Sequence, residues 1–270
     1  MRALQLKSFQ SDPEVVDLPE PEPGPGQVVI KVGGAGACHS DLHVMREFAE
    51  GMAPWGPPFV LGHEAAGWVH RLGSGVKGLE PGEPVAVYGL LGCGHCKPCA
   101  AGADHDGGLG HLATQILGAL TPATVIAVDT RESALALARE VGAAATVQAG
   151  EDAAAEVIDA TGGARADVVL DFVGSAPTIA LGAAVAKVGM DLVVVGAAAG
   201  QFTWNFYALP YEVSLTTSFW GTLPELHEVI ALARQGRIKA HVQRFGLEDA
   251  MRAYQLMEQG QLSGRAVIVP

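Results

Sequence analysis

The sequence predicts an α/β protein of two domains, a small, partly open β-barrel followed by a doubly wound parallel sheet. Three observations predict it. Up to about residue 104 the apolar runs are short and broken by Gly and Pro turns, the pattern of a barrel. From Gly107 onward, runs that are apolar throughout alternate with helical periods, as in a parallel sheet covered on both faces. A chain of 270 residues holds one large core or two moderate ones. The expected divisions are residues 1–104, residues 105–221 and a C-terminal segment over residues 222–270.

In chain order, Leu4 and Leu6 alternate with polar neighbours in a first strand, and residues 14–17 form a second. A Pro-rich turn then leads into a strand over residues 27–32. The Gly33-Gly34-Ala35-Gly36 run bends the backbone just before Cys38. Ser40 and Asp41 are expected to cap a short helix carrying Leu42, His43 and Met45. Short strands follow over residues 68–72 and 84–88. Beyond Gly107, helices are expected over residues 109–120, 133–141, 176–186, 224–235 and 247–258, with strands over 124–129, 167–172, 191–196 and 264–269. The apolar run over residues 213–220 suits an edge strand that pairs across a homo-oligomer.

Composition excludes several function classes. A net charge of -12 without Lys/Arg clusters argues against nucleic acid, which needs a concentrated basic footprint. No apolar run reaches the roughly 18 residues that span a bilayer, so no membrane partner is expected. The amino terminus reads as a strand rather than a signal peptide, which points to the cytoplasm. All four cysteines fall between Cys38 and Cys99. Without a secretory signal, that bunching suits metal ligation better than a disulfide framework.

Cys38-His39-Ser40-Asp41-Leu42-His43 and Leu61-Gly62-His63-Glu64-Ala65-Ala66-Gly67 carry the chemistry. A thiolate at Cys38 and an imidazole at His63 are zinc ligand types; singly, each is more often a buried core residue. Ser40 and His43 are suited to pass a proton outward, although Ser40 also serves as a cap and His43 as a surface imidazole. Glu64 is a nearby carboxylate for the ion, and Asp41 a partner for His63 or His43. Downstream, Gly107-Gly108-Leu109-Gly110 opens a helix, with two glycines in the second and third places of the dinucleotide fingerprint G-x-G-x-x-G; His105 holds the first. Asp129 ends the next strand, where an acid binds a ribose 2′-hydroxyl and repels a 2′-phosphate, which favours NAD. Arg131 beside it leaves NADP open.

These motifs, in this order, resemble the zinc-dependent medium-chain alcohol dehydrogenases. The resemblance implies a GroES-like catalytic domain, a Rossmann NAD-binding domain and a last strand that returns to the catalytic domain. It implies a catalytic zinc on Cys38 and His63 that lowers the pKa of a bound alcohol, with Ser40 and His43 as relay and hydride transfer to NAD. The substrate class is a small alcohol, or an aldehyde or ketone in reverse; a polyol dehydrogenase and a truncated, non-catalytic zinc- and nucleotide-binding protein are the alternatives. It also implies cofactor contacts at Phe172, Gly174, Val195, Gly196, Phe219 and Trp220, with Arg265 near the pyrophosphate, each of which otherwise reads as turn or core. Phe48, Trp55 and Trp220 are candidates to line an apolar substrate pocket. A homo-dimer or homo-tetramer is expected.

Cys93, Cys96 and Cys99 match three ligands of the family's second, structural zinc, but a closed site needs four and glycine stands near residue 107. The family pattern holds to about residue 102 and resumes at 107. The block absent between them would carry the fourth cysteine, the rest of the barrel, the third ligand of the catalytic zinc and the first strand of the nucleotide-binding sheet. That strand belongs in mid-sheet, so its loss strips buried N–H and C=O groups of their partners on both neighbours. Several such losses at about 1 to 3 kcal/mol each rival a whole folding margin of about 5 to 15 kcal/mol. Either the molecule carries this block and the sequence lacks it, or the chain is a deletion variant.

Overall fold

The structure, a computed structural model, describes residues 1–53, 55–89, 110–218 and 220–270. The chain divides into two compact units: Met1–Gly89 with His241–Pro270, and Leu90–Ala240. Cys93, Cys96, Cys99, Gly107, Gly108, Leu109 and Phe219, and the junction around residues 102–108, lie outside the described residues.

The first unit opens with β1 (Arg2–Leu6), β2 (Glu14–Asp17) and β3 (Val28–Gly36), then helix α1 (His39–Arg46), β4 (Phe59–Val60), β5 (Glu64–Leu72) and β6 (Pro84–Ala86). β1 pairs antiparallel with β2 and β4. β5 runs antiparallel to both β3 and β6, in a register that sets Gly36 opposite Glu64. The helix differs from expectation at its start. Its N-cap is Cys38, and the side chain that accepts the freed N–H is Asp41, one turn on, whose Oδ2 lies 2.9 Å from the Cys38 nitrogen. Asp41 stands at the third helical position, so this bond is the reciprocal half of a capping box.

The second unit contains α2 (Gly110–Leu120), β7 (Ile126–Asp129), α3 (Glu132–Glu140), β8 (Ala145–Gln148), α4 (Ala153–Ala160), β9 (Ala166–Asp171), α5 (Ala176–Val185), β10 (Ala186–Val194), β11 (Ser214–Thr217) and α6 (Leu223–Arg234). Ser175 and Thr222 cap α5 and α6 through their hydroxyls, each followed by a proline in the first turn. β8 and α4 were not anticipated from the sequence: Ala143-Ala144-Ala145 and Ala153-Ala154-Ala155 blur both periods.

Among the described residues the five strands form two separate parallel sheets, β7-β8 and β11-β10-β9. Both lean on one cluster, where Ile126, Val147 and Val169 meet Val157 of α4 and Val185 of α5. β7 and β9 are therefore edge strands, and their Val128 and Val168 are 37% and 54% exposed. Apolar β-branched side chains belong in a covered strand, and among the described residues these two edges have no strand beside them. α2 responds in the same way: it is rich in Leu, Ile and Ala, yet only Thr114 is fully buried.

The chain returns to the first unit through β12 (Val242–Gly246), α7 (Ala250–Glu258) and β13 (Arg265–Val269). β13 pairs parallel with β12 and antiparallel with β3, which completes a five-stranded sheet in the order β12-β13-β3-β5-β6. Leu4 and Leu6 of β1, Leu42 and Met45 of α1, Ala253, Tyr254 and Met257 of α7, and Ile268 of β13 share one continuous core. No helix among the described residues is long and apolar enough to cross a membrane.

Candidate metal centre and nucleotide platform

The metal-ligand candidates meet because of strand pairing. Cys38 follows the end of β3 and His63 precedes β5; since those strands are antiparallel neighbours, residues separated by a long loop arrive at one place. Cys38, His63 and Glu64 each present a ligand atom within 4.8 Å of the others, all of them half-buried. A thiolate, an imidazole and a carboxylate so placed fit zinc, which takes sulfur at about 2.3 Å and nitrogen or oxygen at about 2.0 to 2.2 Å.

Asp41 organises the cluster. It is 3% exposed, and its Oδ1 lies 3.1 Å from His63 Nδ1. Of the two imidazoles considered, His63 is thus the one it pairs with. Its Oδ2 accepts from the Cys38 backbone N–H at 2.9 Å and from the Tyr254 hydroxyl at 3.0 Å. An Nδ1–H held by a carboxylate fixes the tautomer that leaves Nε2 bare for an ion. Ser40 Oγ stands 3.4 Å from that Nε2. His43 Nδ1 is 2.8 Å from Glu47 Oε1, at the surface. Glu64 is engaged by Arg265 through two nitrogens, one of them Nε at 3.0 Å from Oε2; the structure thus places Arg265 beside the metal cluster.

The electrostatics give Cys38 the charge of a ligand and leave His63 holding a proton that an ion would have to displace. Burial pushes the Cys38 thiol up, but hydrogen bonds with His63 and Ser40 and the charge of Arg265 outweigh it and bring the thiol down to about 6. Asp41 first, then Cys38, raise His63 to about 10 against burial. Burial, with the Asp41 charge, pushes the Tyr254 phenol far up, so it stays a hydrogen-bond donor. In the loop between α1 and β4, Phe48 stacks on Trp55 with ring centroids 5.7 Å apart. Trp55 meets Phe59 edge-on at 5.6 Å, and it remains half exposed.

In the second unit, Asp129 closes β7, with its Oδ1 2.9 Å from the Arg131 nitrogen and 3.3 Å from Arg131 Nε. Gly174 and Gly196 lie at neighbouring strand ends and touch through their backbones. A Cβ on Gly174, whose φ is +72°, would sit 2.0 Å from the Gly196 oxygen, and one on Gly196 would sit 2.2 Å from the Val173 carbonyl carbon. Only glycine satisfies both. Buried Asp171 holds this turn, accepting from the Val173 and Gly174 nitrogens at 2.9 Å and from Thr178 Oγ1 at 2.8 Å. Phe172 lies 3.7 Å from where a Cβ on Gly110 would stand. The Val195 and Gly196 nitrogens donate to the Asp171 carbonyl, and Trp220, past β11, adopts a left-handed backbone with φ of 58°. Sequence reasoning missed Tyr254 and Asp171, neither of which lies in a motif.

A candidate metal site in a unit of antiparallel strands, followed by a parallel α/β unit with an acid at a strand end, is the arrangement expected of a two-domain dehydrogenase. Comparison with known proteins gives the family. Residues 24–135 match the alcohol dehydrogenase GroES-like domain and residues 108–235 the zinc-binding dehydrogenase domain. An alcohol dehydrogenase of Rhizobium meliloti is 29% identical, with 99% of this chain and 98% of the relative covered. An NAD-dependent alcohol dehydrogenase of Sulfurisphaera tokodaii is 28% identical with all of both chains covered, over 348 aligned positions. Against 270 residues, that alignment must open gaps opposite a substantial block of the relative. The crystal structure of the alcohol dehydrogenase from Aeropyrum pernix superposes over the whole of both chains with a TM-score of 0.91 at 28% identity. The chain belongs to the zinc-dependent medium-chain alcohol dehydrogenases of the medium-chain dehydrogenase/reductase superfamily, with a GroES-like and a Rossmann-type domain.

Proposed function

We propose that this chain oxidises a small primary or secondary alcohol with NAD, and reduces the aldehyde or ketone in reverse, using zinc held by Cys38 and His63 with Glu64 at hand. The observation that carries this reading is the convergence of Cys38, His63 and Glu64 on one another, with the buried carboxylate of Asp41 orienting the imidazole. Zinc when bound supplies the Lewis acidity that makes an alcohol hydroxyl acidic, and NAD accepts the hydride. Ser40, beside His63 Nε2, takes the hydroxyl proton, and His43 passes it on to Glu47 and solvent. Asp129 binds the ribose 2′-hydroxyl and disfavours a 2′-phosphate. Gly174 and Gly196 keep the strand ends bare of side chains so that the cofactor backbone can approach, with Phe172, Val195 and Trp220 as further cofactor contacts; Phe219 is a candidate contact from the sequence alone. Arg265 acts from its place on Glu64. Phe48 and Trp55 give the substrate an apolar wall. Cys93, Cys96 and Cys99 are the candidate ligands of a second, structural zinc.

Exposed edge strand β11, with Leu215 38% exposed, supports a homo-oligomer. The split sheet favours one second reading, a chain that holds zinc and cofactor without turnover. Zinc content by mass spectrometry together with NAD reduction on ethanol, 2-propanol and sorbitol separates the readings. One catalytic zinc per chain and turnover of ethanol or 2-propanol are expected. Zinc and NADH binding without turnover on any of the three would establish the second reading, and turnover of sorbitol alone would indicate a polyol dehydrogenase.

A further inference from the structure

We propose that Tyr254 is a positioning residue for the metal centre: its hydroxyl fixes the plane of the Asp41 carboxylate, and Asp41 in turn aims His63 Nε2 at the ion. The inference rests on the reading of Cys38 and His63 as zinc ligands.

Tyr254 is 1% exposed and sits on α7 in a core otherwise built from Leu, Ala, Met and Ile. A phenylalanine would fill the same space without a polar atom needing a partner, so the hydroxyl is a cost unless it is used. Its use is specific. Asp41 Oδ2 accepts two donors, the Tyr254 hydroxyl at 3.0 Å and the Cys38 N–H at 2.9 Å, which leaves Oδ1 to His63 at 3.1 Å. One donor lets a carboxylate swivel; two from different directions hold its plane. The two donors also come from elements far apart in the chain, 213 residues separating Tyr254 from Asp41. The C-terminal segment thereby sets the angle of an imidazole in the first part of the chain. A phenol adds no charge, so Asp41 keeps its full attraction for the His63 Nδ1–H.

The test compares zinc dissociation constants, measured by competition with a chromophoric chelator, for the parent, Tyr254→Phe, Asp41→Asn and the double variant. Loss of a residue supporting a metal-ligating histidine weakens binding about 10-fold or more, and that is expected for Tyr254→Phe. In the Asp41→Asn background the same change should add less than about twofold, since its route is gone. Met257→Ala, a cavity in the same core away from Asp41, should lower the melting temperature and leave zinc affinity unchanged. In the unmodified protein, zinc uptake should perturb the near-ultraviolet absorption of the buried phenol, a readout that requires no variant to fold. Equal zinc affinity in parent and Tyr254→Phe, or no perturbation of the phenol on zinc uptake, would overturn the proposal. A parent that takes up no zinc at all would instead overturn the ligand assignment on which it rests.

Discussion

Among the described residues, the two units of this chain differ in how far their sheets are joined. The first closes its five-stranded sheet with a strand, β13, supplied from the far end of the chain, and buries one continuous core beneath it. The second has two short sheets on a shared cluster, with β7 and β9 exposing valines at their facing-less edges and α2 short of a floor. The lesson is that the candidate metal site draws its described supports, Asp41, Tyr254 and Arg265, from the first unit alone. A nucleotide platform depends on the sheet that carries it.

Hydrogen exchange gives the largest expected contrast. Amides of β3 and β5 should exchange roughly 1,000-fold more slowly than those of β7 and β9, corresponding to a local stability gap of about 4 kcal/mol. Equal protection would mean that β7 and β9 are covered as well as β3 and β5. Next, Asp41→Asn should weaken zinc about 10- to 100-fold by freeing His63, while NADH affinity, measured by fluorescence, stays within about twofold. A parallel loss of NADH binding would show that the two units are not independent in this respect.

The meeting of Cys38, His63 and Glu64 was largely legible in the sequence, and for a physical reason. Cys38 and His63 lie in compact local motifs, and the antiparallel pairing that joins them needs only the two strands beside them. Asp41 was legible as a partner, but its cap on Cys38 was not, since cysteine gives no capping signal. Tyr254 was invisible: a contact over so long a separation leaves no trace in local pattern, and tyrosine in a helix reads as core. Glu64 and Arg265 were both singled out, yet their mutual ion pair follows from β13 lying against β3, a pairing that periodicity does not encode. In the second unit the alternation of helix and strand was legible, whereas β8 and α4 were hidden by alanine, which suits both faces of every pattern. Whether residues 100–106, read from the sequence as too few and too polar for a central strand, separate β7 from β9 lies outside the described residues.

Smaller effects sharpen the contrast further. In the metal-free protein at pH 8, Cys38, lowered to about 6, is a thiolate, and His63, raised to about 10, holds its proton. Zinc uptake should then release about one proton, and affinity should rise about tenfold per pH unit between pH 6 and 10. Below pH 6 both ligands are protonated and the slope should approach about a hundredfold per unit. Calorimetry in buffers of different ionisation enthalpy checks the count; no proton release at pH 8 would place zinc elsewhere. The smallest contrast compares two glycines of equal crowding. A Cβ at Gly67 would stand 2.1 Å from the Lys31 oxygen inside the complete sheet, and one at Gly196 would stand 2.2 Å from Val173 beside the open one. Gly67→Ala should cost about 3 kcal/mol or more, and Gly196→Ala about 1 kcal/mol less, because an edge can give way. Denaturant titration of each variant reads the difference, and a costlier Gly196→Ala would reverse the ranking of the units.

The most direct examination of the centre is X-ray absorption at the zinc edge on protein whose Cys93, Cys96 and Cys99 are replaced by serine. One sulfur at about 2.3 Å with nitrogen or oxygen neighbours at about 2.0 to 2.2 Å is the expected shell, and Cys38→Ser should remove the sulfur. A shell without sulfur while Cys38 is intact would contradict the assignment of this thiolate and its partner imidazole to the metal.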